Sequence, residues 1–158
     1  MYEAAPLPTF GKKIMKVAVL YYSHKGKTAF YAREIAMYLW SQGFSVSLSA
    51  VSDFNKDKLK EVDFLISGCW TCGWFVVNQH PHQKWVEFSK EIAGVISPER
   101  TLLFTTYKFR TGSMFSNMKK ALSIPKSFPV YELKSKTGFL TDEDKLALNR
   151  FTNVSPLK

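Results

Sequence analysis

The sequence predicts a three-layer α/β domain, a parallel β-sheet between two layers of helices. Three observations predict it. Short β-branched and aromatic runs alternate with stretches of helical periodicity, five of each, and this alternation demands right-handed crossovers between parallel strands. The runs near 15–22 and 62–68 are almost continuously apolar, as strands covered on both faces must be. At 158 residues, 46% hydrophobic and 15% aromatic, the chain has the length and composition of one domain with a sizeable core.

The elements follow in order. Residues 1–13 hold two prolines and a Gly-Lys-Lys but no apolar stretch; they are not a secretory signal and read as an arm outside a single domain of residues 14–158. "MKVAVLYY" (15–22) is the first strand. After a polar loop, Ala32, Ile35, Ala36 and Leu39 recur at helical spacing, and Gly43 supplies the stop. "FSVSLSAV" (44–51) alternates as a strand should, and "DKLKEVDFLISG" reads as a short helix leading into a buried strand near 62–68. A longer loop, 69–81, precedes "HQKWVEFSKEIAGV", which sets Trp85, Phe88, Ile92 and Val95 near one helical face. "TLLFTT" (101–106) is the fourth strand. Ser113 can cap a helix striped by Met114, Met118, Ala121 and Leu122. "FPVYEL" (128–133) carries Pro129, which cannot donate to a ladder, so this strand belongs at a sheet edge. Thr141 caps a last helix running to about Thr152, with Asp142, Glu143 and Asp144 at the positive end of its dipole.

Composition narrows the function classes. No apolar run approaches the ~20 residues that span a bilayer, so no membrane role is expected. Two cysteines make no disulfide framework, and a reduced, cytoplasmic protein is the expectation. The balance is basic, 22 Lys and Arg against 13 Asp and Glu, a formal +9. Between Lys108 and Lys136 seven basic residues face a single acid, Glu132. Such a segment is either an electropositive face for an acidic partner, nucleotide or nucleic acid, or a solubilising surface. There is no long unbroken basic block and no recognisable nucleic-acid motif.

Ligands of parallel α/β sheets collect at the carboxyl ends of the strands. Three loops lie there: 23–28, 69–80 and 107–112. The first, "SHKGKT", ends like a triphosphate loop, whose first glycine would then fall on Tyr21, inside the strand; nor does "DFLISG" or "TLLFTT" end in a carboxylate for magnesium. What remains is S-x-x-G-x-T at a strand-to-helix turn. Ser23 and Thr28 offer hydroxyls, Gly26 allows amides to approach an oxyanion, and His24, Lys25 and Lys27 add donors or charge. The second loop, "GCWTCGWF", and the third, "YKFRTGS", bring Trp70, Trp74, Tyr107 and Phe109 to the ligand end, where aromatic side chains can sandwich a flat ring. A phosphate cradle beside a slot for a ring describes a mononucleotide with a large planar head.

Over about residues 15–152 the sequence resembles the flavodoxin family. That family's phosphate loop commonly reads Ser or Thr, any residue, Thr-Gly, any residue, Ser or Thr; here Ser23, Gly26 and Thr28 match. "VDFLISGCWTCG" is similar to the family's third strand and second flavin loop, with Thr71 and Gly73 in the loop, and "TYKFRTGSMFSNM" resembles the third loop and its helix. The resemblance implies a five-stranded sheet of order 2-1-3-4-5, with the Pro129 strand at its edge. It also implies non-covalent FMN and an electron-transfer role or that of a small flavin-dependent reductase, the flavin ring and no side chain carrying the chemistry. The residues expected around FMN are Ser23, His24, Lys25, Gly26, Lys27, Thr28, Trp70, Thr71, Cys72, Gly73, Trp74, Thr106, Tyr107, Lys108, Gly112 and Ser113. The expected partner is a redox protein, acidic in character, or a small-molecule electron acceptor. Departures stand out. Lys25 replaces a threonine, Cys72 stands where many relatives carry a stacking tryptophan, so that Trp70 or Trp74 takes the task, and Ser113 replaces an acid. Typical electron carriers of the family are acidic, and this chain is basic.

Two other readings compete. Cys69 and Cys72 form a C-x-x-C at a strand end, which could be a redox dithiol or two small residues in a tight loop. His80 and His82 extend the set toward a zinc site, but the Cys-to-His spacing is shorter than in common fingers and no metal is expected. A domain of this fold with a degraded flavin site, binding an acidic partner, is the last alternative.

Overall fold

A computed structural model of the chain describes residues 2–4, 14–74 and 77–153, the side chains of 2–4, 74 and 77 excepted. Its main sheet has six strands: β1 (Tyr2–Ala4), β2 (Lys16–Tyr22), β3 (Ser45–Ala50), β4 (Phe64–Trp70), β7 (Thr101–Thr106) and β8 (Tyr131–Ser135). A hairpin of β5 (Cys72–Trp74) and β6 (Val77–His80) stands apart. The spatial order is β1-β3-β2-β4-β7-β8. The last five are parallel throughout, so counted along the chain they run 2-1-3-4-5. Four α-helices cover the faces: α1 (Lys27–Ser41), α2 (Gln83–Ile92), α3 (Met114–Ala121) and α4 (Asp142–Thr152).

Strand alternation builds two cores. Ala18 and Leu20 of β2 point to one side, where they join Trp85, Phe88 and Ile92 of α2 and Met114 and Met118 of α3. Val17 and Val19 point to the other, with Tyr31, Ile35 and Leu39 of α1 and Leu148 and Phe151 of α4. Trp85 is fully buried, and its indole donates to the Ser67 hydroxyl at 3.0 Å, so its polar edge is satisfied inside the core. α1 stops at Gly43, whose φ of +98° suits glycine. The Phe44 amide donates to the Leu39 carbonyl and that of Gly43 to Trp40, so a Schellman motif closes the helix. At α4, Thr141 and Asp144 form a reciprocal capping box.

The structure corrects several sequence expectations. The connection from β3 to β4 is two 3₁₀ turns, Val51–Asp53 and Lys56–Glu61, rather than an α-helix. A 3₁₀ turn advances about 2.0 Å per residue against 1.5 Å in an α-helix, so this short crossover returns along the sheet with fewer residues. α2 ends at Ile92 because Gly94 adopts φ +85°, which leaves Val95 beyond the helix and 43% exposed. Pro129 lies before β8 rather than within it; β8 is still the edge strand. Ser113 precedes α3 without capping it, its hydroxyl donating instead to the Gln79 carbonyl at 2.9 Å. Residues 2–4 of the expected arm join the sheet, Tyr2–Ala4 pairing antiparallel with Val46–Leu48 of β3.

Candidate functional site

The carboxyl ends of β2, β4 and β7 meet at a cavity of about 400 Å³. Its walls come from all three anticipated loops: His24, Lys25, Lys27 and Thr28 from the first, Trp70, Thr71, Cys72 and Gly73 from the second, Thr106, Tyr107 and Lys108 from the third. Gln79, Phe109 and Arg110 complete them.

Hydroxyls knit the loops together. Thr28 Oγ1 and Thr106 Oγ1 lie 2.6 Å apart, both buried, and join the start of α1 to the end of β7. The Thr71 amide donates to the Thr106 carbonyl at 2.8 Å, and Thr71 Oγ1 lies 2.7 Å from Thr105 Oγ1. Each contact bridges segments far apart in sequence and satisfies polar groups at the strand ends. The Lys27 ammonium donates to the carbonyls of Lys136 at 2.8 Å and Tyr107 at 3.4 Å. Lys27 thus ties the first loop to the third and to the turn after β8. A Cβ on Gly138 would come within 3.0 Å of the Lys27 stem, so that turn is shaped around it.

The first loop is held by Ser23, whose hydroxyl accepts from the amides of Gly26 at 3.0 Å and Ala29 at 3.3 Å. Gly26, the residue before α1, has φ +95°, a backbone state that L side chains rarely adopt. No acid sits in the first turn of α1, and Ser23 takes only its Ala29 amide, so the positive end of a 15-residue helix is presented between Lys25 and Lys27.

The aromatic side is organised by Trp70, which stacks on His24 with ring centroids 5.1 Å apart and is tilted against His82 at 6.3 Å. Its indole N–H is buried and has no partner among the described residues. A buried donor left unmet in this way costs about 1–3 kcal/mol. His82 stacks on Tyr22 at 4.4 Å and its Nδ1 accepts from the Lys84 amide, so that imidazole caps α2.

Both cysteines are reduced and buried. Burial pushes the Cys69 thiol up to about 12 and the Cys72 thiol up to about 11. For Cys69, the amide of His82 donating to the sulfur offsets part of that effect. Thiols held protonated at neutral pH are poor nucleophiles, and the dithiol reading gains no support from them.

The structure gathers eleven of the sixteen residues expected at the site. Ser23 and Gly26 shape the first loop from behind; Gly112 and Ser113 lie past the third, buttressing the hairpin through Gln79. Trp74 is the last residue of β5, and its side chain lies outside the described residues. Sequence reasoning missed Gln79. It is 3% exposed, its carbonyl accepts from Ser113 Oγ and Asn117 Nδ2, and contacts 34 and 38 residues apart leave no local pattern to read.

Comparison with known proteins decides the family. A flavodoxin of Clostridium beijerinckii is 30% identical over 105 residues, which cover 66% of this chain and 74% of that protein. The chain belongs to the flavodoxin family. Solved flavodoxins share the fold. One from the domain Archaea superposes with a TM-score of 0.60 at 21% identity, covering 87% of this chain and 93% of its own. The two-electron reduced flavodoxin of Megasphaera elsdenii gives 0.64 at 19% identity, covering 86% and 98%. No protein-family model matches the sequence. FMN is the flavodoxin cofactor, and the flavodoxin fold places its ligand loops where this cavity lies. Among the described residues, no helix is long and apolar enough to cross a membrane.

Proposed function

We propose that the cavity holds FMN and that this flavodoxin exchanges electrons with a second redox protein at the cavity mouth. The observation that carries the reading is the single lining that holds the aromatic side chains Trp70 and Tyr107 together with a helix N-terminus flanked by lysines. The aromatic side chains suit a flat ring and the helix end an anion.

The residues divide the work. Lys25 and the amides of Lys27 and Thr28, which Ser23 leaves unbound, hold the phosphate. Ser23 keeps the Gly26 turn in shape, and Lys27 fixes it to the Tyr107 loop. Trp70, which stacks on His24, supplies a face for the ring, with Tyr107 in the same lining. Thr71, Cys72 and Gly73 line the wall through a hairpin too tight for a larger residue, since a Cβ on Gly73 would lie 2.9 Å from the Asn78 carbonyl. FMN supplies reversible redox chemistry when bound, and its reduced form is commonly an anion. Lys25, Lys27, Lys108 and Arg110 all line the cavity, and no acid does among the described residues. Their field favours the reduced anion, by about 2 kcal/mol for a unit charge ~8 Å away at an effective dielectric of ~20, before salt weakens it. The potential of the bound flavin is therefore less negative than in an acidic flavodoxin, which suits a reductase better than a very low-potential carrier.

Titration with FMN and with riboflavin tests the assignment. FMN gains the visible bands of a bound flavin and quenches tryptophan emission, while riboflavin binds far more weakly. Equal affinity for the two would remove the phosphate cradle, and no binding of either would remove the cofactor.

A further inference from the structure

The basic segment 108–136 is only partly used by the cofactor site. Lys108 and Arg110 line the first cavity, whereas Lys119, Lys126 and Lys134 line a second, of about 410 Å³, with Thr111, Gly112, Phe115, Ser116 and Glu132. The loop of residues 107–112 is the wall between them, since its first four residues face one cavity and its last two the other. Within this wall Phe109 is 53% exposed, with the Lys108 ammonium 5.7 Å from its ring centre. Lys136 lies similarly over Tyr107, at 6.0 Å. Lys119 is 7% exposed, its ammonium donating to the carbonyls of Lys126 and Phe128. It holds the loop that presents Lys126. Glu132 is the one acid on either lining; burial raises its pKa, while Lys119 and Lys134 beside it pull the other way.

We propose that this face, from Lys25 across Phe109 to Lys126 and Lys134, is the docking surface for an acidic redox protein. The proposal rests on the FMN reading and names the partner class for the same site. Charge gathered on one side of a molecule steers an oppositely charged partner and orients it on arrival. Here the charge borders the mouth of the redox cavity, so the orientation it favours brings a second redox centre close to the ring. An exposed phenylalanine among lysines gives the encounter an apolar centre inside a charged rim, the usual anatomy of a specific interface. A nucleic acid would satisfy the charge, but it has no use for a surface centred on an electron donor.

The test uses the FMN-loaded protein and, as probe, a small acidic [2Fe–2S] protein reduced beforehand. One electron leaves the iron–sulfur centre and enters the oxidised flavin, followed by stopped-flow absorbance. The second-order rate is expected to fall at least tenfold between low and high salt. The double variant Lys126→Glu/Lys134→Glu lowers the low-salt rate at least fivefold. Lys60→Glu/Lys90→Glu, with the same change of net charge outside both cavities, stays within twofold of the unmodified protein. FMN affinity, titrated separately by fluorescence, is unchanged in both variants; its absence in the unmodified protein would instead overturn the FMN reading. A rate that rises with salt or ignores it, or equal losses in the two double variants, overturns the docking face. So does a single-stranded oligonucleotide that binds the unmodified protein but not Lys126→Glu/Lys134→Glu while the probe's rate is the same for both.

Discussion

The two cavities on either side of the loop of residues 107–112 have nearly equal volumes, about 400 and 410 Å³, and opposite constructions. In the first, threonine hydroxyls, a lysine tied to two carbonyls and a tryptophan with a spare donor fix the walls before any ligand arrives. In the second, Lys126 and Lys134 are exposed, and the buried anchor, Lys119, is spent on backbone carbonyls. Size alone does not make a ligand site. A preorganised wall recognises a particular molecule, whereas solvated cations recognise a sign of charge.

The sharpest way to break this contrast is Trp70→Ala. It removes the ring face and the spare donor together, and FMN affinity is expected to fall by about 2 kcal/mol or more, some thirtyfold in Kd. Fluorescence titration reads it; an unchanged Kd would move the ring to Tyr107 or Phe109. Gly26→Val comes next. Nothing lies within 4 Å of a Cβ there, so the damage comes from forcing a β-branched residue into φ +95° and distorting the amides of the turn. FMN should weaken at least tenfold, about 1.4 kcal/mol, with little change for riboflavin. Lys119→Met probes the second cavity alone. Loss of its bonds to two carbonyls should cost about 1–2 kcal/mol in urea unfolding and leave the FMN Kd within twofold.

The smallest effect concerns the thiols beside the first cavity. Their folded-state pKa values lie above the ordinary 9.0, so the folded protein favours the protonated form. That contribution is whole below pH 9 and is lost as pH rises toward about 11 for Cys72 and about 12 for Cys69. Alkylation at pH 7.5 should therefore be slow in the native state and fast in urea. Rapid native-state alkylation would show that the wall of the first cavity is less closed than its geometry indicates.

The alternation of strands and crossovers was readable because β2, β4 and β7 are short apolar runs, whereas the order of the sheet came from the family resemblance and the β3-to-β4 crossover, two 3₁₀ turns, was expected as a helix. What escaped reading was set by distance or by backbone sign. The hairpin of β5 and β6 was expected as a plain loop, yet Gly73 at φ +139° and Asn78 at φ 55° are the residue types that tolerate such turns. Cys72 was expected around FMN, where many relatives carry a stacking ring; its place in the wall follows from pairing with His80. The hydroxyls of Ser23 and Thr28 were both expected to face a ligand. The structure turns that of Ser23 to the loop's own amides and sets that of Thr28 against Thr106, a choice that no spacing rule encodes.

The pairing of Tyr2–Ala4 with β3 has a consequence for solubility. The rim of a sheet offers a row of amides and carbonyls to which a neighbouring molecule can add a strand, the first step of ordered aggregation. At β3 part of that row is taken by Tyr2–Ala4, so the outermost strand on this side is only three residues long. At the far rim the chain uses another device: Glu132 and Lys134 alternate outward along β8 between buried Leu133 and Ser135, so an incoming strand would have to bury charge. One rim is blunted by the shortness of its edge strand and the other by charge. Removing Met1–Ala4 opens only the first, and a tendency of the shortened protein to self-associate, absent from the full chain, would be the mark of the unguarded strand.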